Sequence, residues 1–287
     1  MLRGIFDRKD FLSVFDSLTN PVASYGECVR YYGSDGKAEY GAHLKLFKAD
    51  LHIHTCLSPC GDWGMSPKKI VEKSLEKKLD IIGICDHNSA ENVEAVIKAG
   101  KGTGLRVVPG MEICSKEEVH ILSLFNDTKK AILMQEYIYD NLPGKNSPDT
   151  FGYQIIADEN DEVAGENQRL LIGATTLKLK EIVDKIHSLN GLCVASHVDR
   201  PVFGIISQLG FIPPDLPLDG VEISWRMEPS EAIKQIPDIK RFPFIVSSDA
   251  HFRDDIGKAI TKFFMAEPTI DEIRLALSGK NERRTEV

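Results

Sequence analysis

The sequence predicts an α/β protein built as a single barrel, in which strands alternate with helices. From residue 44 onward, short apolar segments alternate with segments of helical periodicity, which is the pattern of a parallel sheet covered by helices. No change in composition divides this stretch into two domains. The length of 287 residues suits one large domain, and a folded chain of this size buries enough surface to be stable without disulfides.

The first 44 residues differ from the rest of the chain. We predict an N-terminal extension, residues 1–44, followed by one domain, residues 45–287. Residues 33–41 have the composition of a loop. A short amphipathic helix is predicted from four apolar residues at helical spacing, which are Phe6, Phe11, Val14 and Phe15. No residue of this extension suggests a chemical role.

The strands of the barrel are predicted from short apolar segments. Leu79–Cys85 is apolar almost throughout, as expected of a parallel strand that is covered on both faces. About seven such strands are expected in the barrel. The candidate segments are Leu46–His54, Leu79–Cys85, Leu105–Met111, Val119–Phe125, Leu192–Ser196, Val221–Ser224, Phe244–Ser247 and Ile260–Phe264.

The helices between these strands have recognisable start signals. Ser66 followed by Pro67 resembles an N-cap with proline at the first helical position, and Thr269 with Glu272 forms a capping box before a last helix. Further helices are predicted at Glu91–Ala99, Lys129–Tyr139 and Leu177–Leu189. Residues 143–170 are rich in Pro, Gly, Asp and Asn, which predicts an excursion from the barrel with a short hairpin.

The charge of the chain limits its partners. The formal net charge is −8, from 35 basic and 43 acidic residues. Duplex nucleic acid and anionic membranes require basic surfaces, so we expect neither as a partner. No apolar run approaches the roughly 18 residues of a membrane span. Charged residues interrupt the beginning of the chain, which argues against a secretion signal, and we expect a cytoplasmic protein.

Six of the eight histidines are expected to follow or end an apolar strand, and carboxylates accompany them; the six are His52, His54, His87, His120, His197 and His251. The C-terminal ends of barrel strands meet on one face, so these side chains are expected to converge. Residues i and i+2 of a strand point the same way, which predicts that His52, His54 and Asp50 share one side. Imidazole and carboxylate ligands suit zinc, manganese or iron. The sequence therefore predicts a metal site.

The segments that contain these residues resemble the PHP family, named for polymerase and histidinol phosphatase. The segments are ADLHIHT (49–55), ICDHNS (84–89), PGMEI (109–113), EEVHILSLF (117–125), ASHVDRP (195–201) and SSDAH (247–251). They occur in the family's order and extend over residues 47–270. The resemblance implies a distorted (β/α)7 barrel and a trinuclear metal cluster. Most free-standing members of the family hydrolyse phosphate esters.

The resemblance also implies which residues bind metal. A first ion would have four ligands, which are His52, His54, Glu112 and Asp249. Glu112 would bridge to a second ion, whose other ligands would be His120 and His197. A third ion is expected on His87, His251 and a residue of the loop after the first strand. Two to three divalent ions of Zn, Mn or Fe are therefore expected.

The last of these ligands is where the chain departs from the family pattern. The family commonly places His or Asp five or six residues after the second His of the HxH motif. Those positions are Pro59 and Cys60 in this sequence. Asp62 lies two residues further on, and the Pro-Cys-Gly segment could bring it into reach. We favour Asp62 over Cys60 as the third ligand.

Two further residues are candidates for catalytic roles. Arg200 follows His197 by three residues, where its guanidinium could bind phosphate with two parallel hydrogen bonds; the alternative is an ordinary surface arginine. Asp86 directly precedes His87, and we expect it to orient a histidine more than to act on substrate.

These residues predict a metal-dependent phosphoric ester hydrolase, either a phosphatase or a phosphodiesterase. A metal-bound hydroxide on a di- or trinuclear centre would attack phosphorus. The expected substrate is a small phosphate ester, such as a nucleotide or a short oligonucleotide. Two alternatives belong to other classes: a non-catalytic PHP module with a structural role, and an amidohydrolase-type enzyme that cleaves C–N bonds.

Overall fold

A computed structural model describes residues 29–32, 38–41 and 43–287, and the chain divides into two units between residues 43 and 44. In the first unit, β1 (Val29–Tyr32) pairs with β2 (Ala38–Gly41) in an antiparallel register that places Val29 opposite Gly41. The prediction of a loop over residues 33–41 is therefore wrong for its last four residues, which pair with β1; Tyr40 is the residue among them that favours extended structure. The predicted helix with Phe6 lies outside the described residues.

The second unit alternates strands and helices along most of its length. Its strands are β3 (Lys45–Ile53), β4 (Ile81–Ile84), β5 (Arg106–Cys114), β6 (His120–Leu124), β7 (Ile155–Ala157), β8 (Val163–Glu166), β9 (Leu192–Ala195), β10 (Gly220–Ser224), β11 (Phe244–Ser247), β12 (Thr261–Met265) and β13 (Arg284–Glu286). Its α-helices are α1 (Pro67–Glu76), α2 (Val93–Ala99), α3 (Thr128–Tyr139), α4 (Pro148–Phe151), α5 (Leu179–Ser188), α6 (Ile205–Leu209), α7 (Pro229–Gln235) and α8 (Ile270–Leu277).

Nine strands form one sheet in the order β11-β10-β9-β6-β5-β4-β3-β12-β13. The sheet nearly closes on itself, because the chain just after β11 pairs with β3. The His54 N–H donates to the Ala250 carbonyl at 3.0 Å, and the Ala250 N–H donates to the His52 carbonyl at 3.2 Å. Seven strands, from β3 to β11 in this order, thus make a barrel, while β12 and β13 extend the sheet beyond β3. This confirms the predicted barrel.

The barrel is distorted at β6, which runs antiparallel to both of its neighbours, β5 and β9. A short turn joins β5 to β6, and Cys114 at the end of β5 pairs with His120 at the start of β6. The first residue of β6 therefore lies at the same edge of the barrel as the last residues of the parallel strands. The expectation that every clustered histidine ends or follows its strand is wrong for His120, which begins one.

Apolar layers cover both faces of the strands, as the continuous apolar segments predict. Leu51, Ile81 and Val108 belong to one buried layer, which includes residues of α8. Ile53 and Ile82 belong to the other layer, which includes residues of α1, α2, α3 and α5. These layers hold the strands rigidly enough to fix the side chains at their ends.

The excursion at residues 143–170 contains α4 and the antiparallel hairpin of β7 and β8, and the predicted hairpin is confirmed. The capping residue of α8 is also confirmed, because the Thr269 hydroxyl accepts a hydrogen bond from the Glu272 N–H. Among the helices of the described residues, none has the length and apolar character that crossing a membrane demands.

Candidate metal centre

The two histidines of the HxH motif present the same ring nitrogen to one point. Nε2 of His52 and Nε2 of His54 lie 3.1 Å apart, and both side chains are completely buried. Their other nitrogens are occupied: His52 Nδ1 bonds to Glu222 and His54 Nδ1 to Ser58. Two nitrogen lone pairs that face each other repel unless a cation lies between them. The pair is therefore arranged for a metal ion.

Asp50 does not join these histidines, contrary to the prediction from strand periodicity. The pairing register of β3 with β4 is irregular between Asp50 and Ile53, so the two-residue alternation is broken there. The Asp50 carboxylate instead accepts hydrogen bonds from the Ser248 and Gly257 N–H groups, at 3.0 and 2.9 Å. Asp50 thus anchors the segment that follows β11.

Glu112 lies at the middle of the cluster. Its carboxylate oxygens are 3.0–3.6 Å from ring nitrogens of five histidines, which are His52, His54, His87, His120 and His197. Burial alone raises the pKa of Glu112, but the nearby His120 and His52 lower it well below the ordinary value. An ionised carboxylate that is only 1% exposed needs positive charge around it, and bridging metal ions supply such charge.

Asp249 contributes the second carboxylate. Its Oδ1 is 3.1 Å from His54 Nε2 and 3.3 Å from His52 Nε2. The residue has a φ of 49°, in the left-handed region that non-glycine residues rarely adopt. Such strain persists where the surroundings enforce it, often at functional sites. Burial raises the pKa of Asp249, but His52 and His54 lower it well below its usual value.

The donor atoms of the cluster fit divalent metal ions. Three groups have donor atoms close enough to share an ion: His54, His87 and His251; His52, His54 and Glu112; and His87, Glu112 and His120. Two of the buried polar atoms without hydrogen-bond partners face the cluster, namely His120 Nδ1 and Asp249 Oδ1. Orphaned buried donors and acceptors are rare in folded proteins, and ligation would satisfy them. Imidazole and carboxylate suit Zn, Mn or Fe.

Glu222 orients His52 and was missed by the sequence analysis. It is fully buried on β10, and its oxygens lie 3.0 and 3.2 Å from His52 Nδ1. The imidazole N–H therefore donates to the carboxylate and leaves Nε2 free for a metal, which is the common carboxylate–histidine–metal arrangement. Burial lowers the pKa of His52, but Glu222, Asp249 and Glu112 raise it well above normal. The sequence signal that could have identified Glu222 is an acidic residue inside the otherwise apolar segment GVEIS (220–224).

Asp86 acts on His54 through a serine. Its Oδ1 accepts hydrogen bonds from the Ser58 hydroxyl at 2.6 Å and the Thr55 N–H at 2.7 Å. The Ser58 oxygen in turn accepts from His54 Nδ1 at 2.9 Å. Asp86 is outside the residues that line the cavity described below, so its contacts are those of a residue that positions a ligand.

The structure brings Cys60, and not the carboxylate of Asp62, close to His87, which is one of the ligands expected for the third ion. Cys60 Sγ lies 3.2 Å from His87 Nε2. Partial removal of the thiol from water raises the pKa of Cys60, but His87 and His251 outweigh this effect and lower the pKa to about 6. Asp62 is exposed, and its Oδ1 accepts a hydrogen bond from the Gly64 N–H at 2.7 Å.

A cavity of about 260 Å³ opens onto this cluster. Its lining includes His87, Glu112, His120, His197, Asp249, His251, Cys60, Arg200, Ile172, Val202 and Phe203. The Arg200 side chain is 23% exposed and forms an ion pair with Asp249. Phe203 stacks on the His120 ring, with centroids 4.5 Å apart. Arg200 is therefore beside the candidate ligands and is not an ordinary surface residue.

The barrel and its cluster define a class of α/β proteins in which buried histidines and carboxylates suit divalent metal ions. A model of the PHP domain matches residues 50–215, which is more than half of the chain, and a PHP-associated domain matches residues 234–280. The protein therefore belongs to the PHP family, as the resemblance of its motifs predicts.

Two curated relatives match the chain at low identity. An uncharacterized protein of Methanocaldococcus jannaschii is 27% identical over 184 residues, which cover 61% of this chain and 80% of that protein. A 5'-3' exoribonuclease of Haemophilus influenzae is 23% identical over 190 residues, covering 52% of this chain and 68% of the relative.

Solved structures share the fold. The lesion-specific endonuclease Endonuclease Q from Pyrococcus furiosus superposes with a TM-score of 0.62 and 19% identity. Endonuclease Q in complex with a 27-mer duplex carrying an abasic lesion gives a TM-score of 0.57 at 19% identity. Each match covers 84% of this chain but only 58% of the endonuclease, so this chain spans little more than half of that protein's length.

Replacing Glu222 with Gln tests its role as the residue that orients His52. The variant removes the negative charge beside Nδ1, so metal affinity should fall about 10- to 100-fold, as is typical for such partners. Competition with a chelating dye measures this affinity. Asp219→Asn is the matched control, because Asp219 also pairs with a histidine, His187 at 3.1 Å, away from the cluster. If Glu222→Gln and Asp219→Asn bind the metal with equal affinity, Glu222 does not orient His52 for metal binding.

Proposed function

We propose that the protein is a metal-dependent phosphoesterase that hydrolyses a phosphate ester of a nucleotide or short single-stranded oligonucleotide. The observation that carries this proposal is the buried Glu112 carboxylate among five histidines, in a cavity that Arg200 also lines. The proposal includes the cytoplasmic location that the sequence predicts. Two to three ions of Zn, Mn or Fe would serve as cofactors.

The proposed ligand sets are those that the family resemblance implies, and the contacts of Glu112 with the histidines support them. The first ion would be held by four residues, which are His52, His54, Glu112 and Asp249. The second would be held by Glu112 with His120 and His197, and the third by His87 and His251 with one further ligand. When bound, such ions lower the pKa of water and neutralise charge on phosphoryl oxygens.

The remaining residues of the cavity bind and position the ester. The Arg200 guanidinium offers several N–H donors, and its ion pair with Asp249 fixes it beside the ligands. It can therefore donate to two oxygens of a phosphate in parallel, which a charge-assisted pair favours. Phe203 packs on His120 and holds that imidazole in place.

Exposed aromatic rings directly follow the segments that carry His251 and Glu222, and they favour a substrate with bases. Phe252 directly follows His251 and is 55% exposed, and Trp225 follows the end of β10 and is 43% exposed. Lys258 Nζ lies 5.0 Å from the centroid of the Trp225 ring. Nucleobases stack on such rings with little regard for sequence, and nearby cations attract the backbone. These features support a nucleotide or a short single strand.

Cleavage of duplex DNA is the second candidate, because the Endonuclease Q complex shows that this fold can accept a duplex. Two observations favour the smaller substrate for this chain. Its net charge of −8 opposes binding of a long phosphate backbone, and the cavity at the metal centre has a volume of only about 260 Å³.

A substrate panel on the purified protein tests the proposal. We expect nucleoside monophosphates, dinucleotides or short single strands to be hydrolysed after reconstitution with Mn²⁺, Zn²⁺ or Fe²⁺, and hydrolysis to stop when the ions are chelated. A 27-mer duplex with an abasic site, like the one bound by Endonuclease Q, distinguishes the second candidate. Glu112→Gln controls for contaminating phosphatases. If no phosphate ester reacts with any of the three metals, the proposal is wrong.

Arg200→Ala separates phosphate binding from metal binding. Loss of the charge-assisted hydrogen bonds should lower kcat/KM about a hundredfold, equivalent to about 2.7 kcal/mol. Metal content should not change, because arginine is no ligand, and Arg200→Lys should recover little, because a point charge lacks the planar fork. Steady-state kinetics measures the loss, with Arg284→Ala on β13 as the control. Wild-type turnover by Arg200→Ala would assign phosphate binding to another group.

A further inference from the structure

The loop after β3 presents a cysteine where the third metal ion requires a ligand. Cys60 Sγ lies 3.2 Å from His87 Nε2, and Cys60 lines the same cavity as His87 and His251. His251 Nδ1 bonds to the Asp249 carbonyl at 2.9 Å, so its Nε2 is the nitrogen left free for a cation. His87 and His251 belong to one group whose donor atoms are close enough to share an ion, and the Cys60 sulfur lies beside that group.

The backbone holds Cys60 in this position. The Ser58 N–H donates to the Thr55 carbonyl at 3.2 Å, the Gly61 N–H to the Ser58 carbonyl at 2.8 Å, and the Asp62 N–H to the His251 carbonyl at 2.8 Å. A Cβ at Gly61 would lie 2.6 Å from the Thr55 oxygen, so only glycine permits so tight a turn. Hydrogen bonds therefore hold the loop on both sides of Cys60: within the turn from Thr55 to Gly61, and between Asp62 and the segment that carries His251.

We propose that Cys60 is the third protein ligand of the third metal ion, with His87 and His251. This assignment of Cys60 rests on the metal centre of the proposed function, but it does not depend on which reaction the protein catalyses. A donor set of one thiolate and two imidazoles favours Zn²⁺ or Fe²⁺ over Mg²⁺, because thiolate is a soft ligand. The third position would therefore select a different range of ions than a site completed by a carboxylate.

Asp62 is the residue favoured from the sequence, but its side chain makes a different contact. Its carboxylate accepts from the Gly64 N–H at 2.7 Å, an Asx-type turn that shapes the loop, and the residue is exposed. Its backbone N–H, and not its side chain, contacts the segment of His251. The Pro-Cys-Gly segment therefore delivers Cys60, not Asp62, to the histidines.

The accessibility of the cysteines provides a direct assay. Cys56, Cys85, Cys114 and Cys193 are buried, whereas Cys60 is exposed. Tandem mass spectrometry after brief alkylation locates the modification at Cys60 and distinguishes it from Cys56, which lies in the same tryptic peptide. Saturating Zn²⁺ should slow alkylation of metal-free protein at Cys60 about tenfold or more, because a metal-bound thiolate is not a free nucleophile. An equal rate with and without Zn²⁺ would overturn the proposal.

Cobalt spectroscopy tests ligation itself. The Co²⁺ form of the wild-type protein should show a sulfur-to-cobalt charge-transfer band in the near ultraviolet. Cys60→Ser should lose this band and bind one ion fewer, Cys60→His should keep the ion count without the band, and Asp62→Asn should match wild type. A band that survives Cys60→Ser, or is lost in Asp62→Asn, contradicts the assignment. Because alkylation uses the wild-type chain, the result does not depend on how well a variant folds.

These measurements involve no substrate, so they fail independently of the proposed function. If the protein shows the band but hydrolyses no phosphate ester, Cys60 is a ligand and the phosphoesterase proposal is wrong. If the protein hydrolyses phosphate esters but shows neither the band nor slower alkylation of Cys60 with Zn²⁺, the phosphoesterase proposal stands and Cys60 is not a ligand.

Discussion

The structure depends on one buried charge, the carboxylate of Glu112, which is 1% exposed and surrounded by imidazoles. Burying an ionised carboxylate is costly unless positive charge and hydrogen bonds compensate for it. The barrel supplies these partners from different strands, including His120 at the start of the reversed strand β6. The antiparallel placement of β6 and the irregular register of β3 are thus the features that place ligands around Glu112.

A second layer of polar residues fixes the direction of the ligands. Glu222 binds His52 directly, and Asp86 reaches His54 through Ser58. Each contact occupies Nδ1 and frees Nε2, so the two rings of the HxH motif share one tautomer and one orientation. Since these supports are buried, the ligand geometry is built into the folded chain before any ion binds.

Much of the fold followed from the sequence, because apolar strands and capped helices carry local signals. The barrel, most of its strands and helices and the hairpin at 143–170 were predicted, while α6 and α7 are too short to show helical periodicity. The direction of β6 depends on tertiary pairing, so the sequence could not show that the start of this strand, with His120, lies at the edge where the parallel strands end. Asp50 was misplaced because a register shift leaves no local mark, and Glu222 contacts its histidine only across the barrel.

The central claim is that metal ions provide the positive charge around Glu112. Anomalous diffraction from crystals of the Mn²⁺- or Zn²⁺-reconstituted protein tests it most directly. The account predicts at least two anomalous peaks on opposite sides of the Glu112 carboxylate, one within reach of His52 and His54 and one within reach of His120 and His197. A well-ordered map without anomalous peaks, in which Glu112 is paired with protonated imidazoles alone, would contradict it.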